Sequence, residues 1–116
     1  MPDVQIFGLK NSQSTRAAQR FFADRRIAVQ FVDLSRKAMA PRELKRFSDA
    51  FGLRELVDCE SKAYIEAGLK YVKLSDAEFA AKIEKQPELL RLPLVRGGSR
   101  VSAGRDEVAW NGMLMD

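Results

Sequence analysis

Two places in the sequence hold residue types that could do chemistry: a polar run, Lys10-Asn11-Ser12-Gln13-Ser14-Thr15-Arg16, and a single thiol, Cys59. The run stands just before an apolar helical pattern. At such a junction the free amides of the first helical turn and its partial positive charge favour an oxyanion or a carboxylate. Hydroxyls and the cations Lys10 and Arg16 would add to that pull, although Ser12 or Ser14 could equally do no more than cap the helix. A serine is a poor nucleophile unless a base removes its proton. The chain has no histidine, and Lys10 would need a strongly lowered pKa to replace one, so Ser12 is not read as a catalytic nucleophile. One cysteine excludes an intramolecular disulfide, and a lone thiol without imidazole makes no zinc or copper site. No metal and no resident cofactor are therefore expected. Cys59 reads either as a relocated thiol activated by local cations or as a small buried or incidental side chain. Its neighbours Asp58 and Glu60 would blunt its reactivity, which favours the second reading.

The elements that must position these residues follow from periodicity. Val4, Ile6, Phe7 and Leu9 form a short apolar run suited to a strand buried on both faces. After the polar run, Ala17, Ala18, Phe21 and Phe22 recur at helical spacing. Val29, Phe31, Val32 and Leu34 give a second strand, so residues 4 to 34 predict a βαβ unit with a parallel pair and a right-handed crossover. Pro41 suits a first helical turn, and Leu44, Phe47 and Phe51 mark a stripe that Gly52 can end. Leu56 and Val57, then Ala63, Tyr64 and Ala67 up to Gly68, suggest short helices. Ser75 with Glu78 is a capping box ahead of Phe79, Ala80 and Ile83. Leu94 and Val95, a Gly97-Gly98 turn and Val101 predict a hairpin, and a last helix spans about Asp106 to Met113. The fold expected is α/β and thioredoxin-like, βαβ then a helical insertion then ββα, with a small mixed four-stranded sheet. Phe21, Phe22, Phe47, Phe51 and Phe79 fall on helical stripes and are assigned to a core rather than to base stacking. Trp110 either closes the core or marks a partner surface.

Composition narrows the function classes. At 116 residues, 46% hydrophobic and 31% charged, the chain suits one domain over residues 1–116 that folds without disulfides. No basic segment leads a long apolar run at the start, and no apolar stretch is long enough to span a bilayer, so a cytoplasmic protein with no membrane association is expected. The net charge of +4 is small beside that of many nucleic-acid binders and fits a solvated basic surface, which makes nucleic acid an unfavoured partner. Arg16, Arg20, Arg25 and Arg26 nevertheless gather around one helix, where an acidic protein could bind.

The segments VQIFGLKNSQSTRAAQRFF, DCESKAYIEAGL, LSDAEF and QPELLRLPLVRGGSRVSAGRDE resemble, in order and spacing, successive blocks of the arsenate reductase (ArsC)/Spx family over nearly the whole chain. The resemblance implies a thioredoxin-like sheet with a helical insertion and a cis Pro93 beside the active loop. It places the family's loop cysteine at Ser12 and the second cysteine of Cys-x-x-Cys members at Thr15. A hydroxyl forms no disulfide and no sulfenic state, so neither redox switching nor arsenate thiolation could proceed there. The oxyanion-binding arginines fall on Leu92 and on Asp58 or Glu60, whereas Arg16 is kept and Arg91, Arg100 or Arg105 could supply a displaced cation. The resemblance thus implies a member without reductase chemistry that binds a protein partner, or a small anion or thiol such as glutathione, through residues 10–16 and Pro93. Spx-type members contact RNA polymerase, which makes a transcription-associated partner the expectation on that side. The competing expectation is a glutathione- or thioredoxin-coupled reductase using Cys59 or an external thiol.

Overall fold

The computed structural model describes residues 4–114. In chain order it contains β1 (Val4–Gly8), α1 (Gln13–Asp24), β2 (Val29–Asp33), α2 (Pro41–Phe51), α3 (Lys62–Glu66), α4 (Asp76–Lys85), β3 (Leu94–Gly97), β4 (Arg100–Ala103) and α5 (Glu107–Leu114). Single 3-10 turns at Arg54–Leu56, Leu69–Tyr71 and Pro87–Leu89 punctuate the middle. The chain divides into two compact units, residues 1–37 with 92–116 and residues 38–91. No helix among the described residues is long and apolar enough to cross a membrane.

The first unit is the predicted βαβ and ββα pair. Its four-stranded sheet has the order β2-β1-β3-β4, with β1 parallel to β2 and antiparallel to β3, and β3 antiparallel to β4. Strand residues alternate between faces. Val4, Ile6 and Val95 therefore share one face, where they pack with Ala18, Phe21 and Phe22 of α1 and with Trp110 and Met113 of α5. Trp110 is fully buried and so closes the core. Its indole Nε1 donates to Ser102 Oγ at 3.2 Å, and its ring centroid stands 5.4 Å from that of Phe21. On the opposite face, Gln5, Gln30 and Arg96 form a polar row across three strands. Gln5 Nε2 donates to Gln30 Oε1 at 2.9 Å and Arg96 Nε to Gln5 Oε1 at 3.0 Å.

The second unit is helical, as its apolar spacing predicts. Pro41 opens α2 and Gly52 ends it at φ +90°. Ser61 Oγ accepts the Tyr64 amide at the start of α3. The capping box of α4 is complete, with the Glu78 amide donating to Ser75 Oγ and the Ser75 amide to Glu78 Oε1. An isolated antiparallel bridge between Val57 and Leu90 ties the two sides of the unit together.

Two expectations are corrected. Phe51 is 39% exposed rather than core, because it is the last residue of α2 and its stripe runs out where the helix does. The hairpin turn is Gly98-Ser99, since Gly97 is still paired with Arg100. Gly98 takes φ +63°, whereas Gly97 is constrained by space: a Cβ there would come within 2.8 Å of Met113 Cβ. Gly97→Ala should therefore lower stability by about 1–3 kcal/mol, as overpacked cores do. A urea midpoint unchanged from that of the parent would refute this account of the α5 seat.

Candidate functional site

The loop between β1 and α1 leaves the sheet at the carboxyl end of β1, where open α/β sheets place their ligands. Its path is set by backbone hydrogen bonds: the Ser12 amide donates to Leu9 O and the Arg16 amide to Ser12 O, each at 3.0 Å. Ser12 has extended backbone angles, and its Oγ accepts the Thr15 amide at 3.2 Å. Of the two candidate caps, Ser12 is the one used. The amides of Gln13 and Ser14, in the first turn of α1, precede any intrahelical acceptor and can face an anion.

The cations of the loop are partly committed. Lys10 Nζ lies 4.0 Å from Asp33 Oδ2, and Arg16 Nη1 reaches Lys10 O at 3.5 Å. Asp33, at the end of β2, is held by Ser35, whose hydroxyl and amide donate to Oδ1 at 2.7 and 3.0 Å. Those bonds, helped by Lys10 and Arg36, hold its carboxyl below the ordinary 3.8. Thr15 is fully buried and its Oγ1 has no hydrogen-bond partner among the described residues. Its side chain fills the space over Gly8, where a Cβ would meet Oγ1 at 2.5 Å.

Pro93 joins the same corner. Leu94 pairs with Phe7, so the antiparallel register sets Pro93 beside Gly8, at the root of the loop. The Leu92-Pro93 bond is cis, and Pro93 O accepts the Gly104 amide at 3.0 Å. Residues 10–16 and Pro93 are thus brought together in one unit.

The displaced cations do not gather there equally. Arg100 pairs with Gly97, which pairs with Val4, so it stands at the end of the sheet away from the loop. Arg91 donates to Glu55 O at 3.3 Å within the helical unit. Arg105, just past Gly104, leaves the sheet at the loop end and contacts Glu107 Oε2 at 3.4 Å. Cys59 is in the helical unit and is exposed, not a buried small hydrophobe. Beside it, Tyr64 has its phenol pushed above the usual 10.0, by desolvation first and by the Cys59 thiol second. Sequence reasoning missed Gly8 and Asp33. A strand-end Asp followed two residues later by Ser, the pattern of an Asx turn, was the available signal for the latter.

A parallel strand pair crossed by α1, an antiparallel hairpin, a terminal helix and a helical insertion define a thioredoxin-like α/β protein. The ArsC family model matches residues 7–113, and the chain belongs to the ArsC family. Solved structures agree on the fold. An arsenate reductase from Vibrio cholerae is 24% identical, with 90% of this chain and 91% of that one covered and a TM-score of 0.77. A putative arsenate reductase from Yersinia pestis is 17% identical, with 97% and 99% covered and a TM-score of 0.80. A putative ArsC family related protein from Bacteroides fragilis is 16% identical, with 96% and 97% covered and a TM-score of 0.80. No curated protein matches the sequence significantly.

Two predictions follow from the loop geometry. Ser12→Ala removes the cap and should reduce unfolding free energy by about 1 kcal/mol, with Ser14→Ala close to neutral; equal losses in denaturant titrations would contradict the capping assignment. For Asp33, the folded pKa lies below the unfolded one, so its contribution is present above the unfolded value and is lost as pH falls through the folded value. Asp33→Asn should accordingly flatten the decline in stability below about pH 5. Parallel urea midpoints for the two proteins across that range would be the contrary result.

Proposed function

We propose that this ArsC-family chain lacks thiol-based arsenate reduction and acts by binding, with the α1 entry loop holding a small oxyanion or carboxylate, free or on a thiol such as glutathione. One observation carries the reading. At the helix entry, where the resemblance puts the family's cysteine, stands Ser12, and its oxygen is already the acceptor for the Thr15 amide. Arsenate reduction through a covalent adduct needs a sulfur that bonds arsenic and then gives up two electrons as it enters a disulfide; a hydroxyl oxygen can at most form an arsenate ester, which passes no electrons to arsenic. The only thiol, Cys59, lies outside the loop. A binding role leaves room for a transcription-associated protein partner, as the likeness to Spx-type regulators suggests. It also fits a cytoplasmic protein.

The competing reading, a reductase that uses Cys59 with glutathione or thioredoxin, draws on the exposure of that thiol. A coupled assay separates the two. Pure protein supplied with arsenate, glutathione, glutaredoxin and an NADPH-regenerating reductase should oxidise NADPH no faster than the blank. Arsenate or glutathione should still shift the amide resonances of Gln13 and Ser14. A robust rate that disappears in Cys59→Ser would establish the reductase instead.

A further inference from the structure

The charge of the chain is unevenly divided. Among the described residues the sheet-bearing unit has ten Lys and Arg against four Asp and Glu, while the helical unit has ten against ten. The whole surplus therefore belongs to the first unit, and α1 with its C-terminal turn holds four of those cations, Arg16, Arg20, Arg25 and Arg26, against Asp24 alone. A cleft of about 180 Å³ opens along this helix, between α1 and the turn that leads into α5. Ala17, Phe21 and Trp110 form its floor, and Arg20, Arg25 and Arg105 stand around it.

The guanidinium groups are not equally free. Arg25 lies 3.6 Å over the Phe21 ring and donates from Nη1 to Phe21 O at 3.0 Å, so it is held in place before any ligand arrives, which lowers the ordering cost of binding. Arg105 shares its charge with Glu107. Arg20 is exposed and has no ion-pair partner among the described residues.

We infer that this cleft is a docking site for an acidic segment of a partner protein, whose carboxylates meet Arg20, Arg25 and Arg105. Two carboxylates, Asp24 and Glu107, line the same cleft. They would repel the dense, evenly spaced phosphates of a nucleic acid, whereas a peptide can offer acidic side chains opposite the arginines and neutral or basic ones opposite Asp24 and Glu107. The inference deepens the binding reading above and rests on it for its biological sense.

The test is fluorescence anisotropy of the full chain with a fluorescein-labelled peptide of Glu and Asp interspersed with Leu and Ser. Binding should saturate and weaken as salt is added. Arg20→Glu with Arg105→Glu should raise the Kd at least about tenfold, with the circular dichroism spectrum unchanged. The matched reversal on α2, Lys45→Glu with Arg46→Glu, should leave the Kd as it was. Three results would overturn the inference: no binding at low salt, an equal loss in the α2 variant, or a single-stranded oligonucleotide of equal charge binding more tightly and losing as much in the Arg20→Glu, Arg105→Glu variant. The assay contains neither arsenate nor glutathione, so its failure leaves the shifts expected at Gln13 and Ser14 with those ligands standing. The Arg20 and Arg105 reversals leave residues 10–16 unchanged, which separates the cleft from the loop as the seat of the peptide's carboxylates, and a positive reductase assay leaves the docking result standing.

Discussion

The buried indole of Trp110 is the contact on which the sheet unit depends. It sits against Phe21 and Phe22 of α1 while its one polar atom bonds Ser102, itself a buried strand residue. A single hydrogen bond thereby satisfies two groups that would each be costly to bury alone. Complete burial of so large a ring is worth on the order of 3 kcal/mol in removed apolar surface. Because the terminal helix reaches α1 through this ring, the first crossover is pinned from the far end of the chain. The start of α1, and with it the loop, inherits that fixed position.

A fixed helix start is only an electrostatic opportunity, and its neighbours decide how far it is used. Asp33 is locked by Ser35 and draws on the same Lys10 that would serve an anion. Any anion that came to the loop would therefore compete with Asp33 for Lys10. Further along α1, Arg25 is likewise committed, to the Phe21 ring and carbonyl, whereas Arg20 is exposed with no ion-pair partner among the described residues.

Much of this was readable from residue order. The β1, α1 and β2 pattern, the Ser75 and Glu78 box, the Pro41 start and the Gly52 and Gly68 stops are local codes, and local codes survive into the fold because they act within a few residues. Phe51 was misjudged for a physical reason. Periodicity and residue type report average burial, and neither tells where a helix stops having something beneath it. The Gly97-Gly98 pair was read as two turn residues because glycine has two uses, freedom in φ and the absence of a side chain. Only the approach of Met113 reveals that Gly97 serves the second. At the site, the run from Lys10 to Arg16 was legible as a polar helix entry, while Pro93 came only from the family resemblance and is set by register beside Gly8 at the root of that run. The Lys10–Asp33 pairing joins residues distant in sequence and had no signature beyond an Asx pattern.

The packing of Thr15 over Gly8 has a consequence for how this junction could change. The threonine hydroxyl is buried with no partner among the described residues, an arrangement that costs about 1–3 kcal/mol, while its methyl group and the bare Gly8 fit each other closely. Shape, not polarity, is what the pair has in common. A valine of the same outline would preserve the fit and shed the burden, so the junction contains unspent stability, and any larger residue at position 8 would have to be answered by a smaller one at position 15.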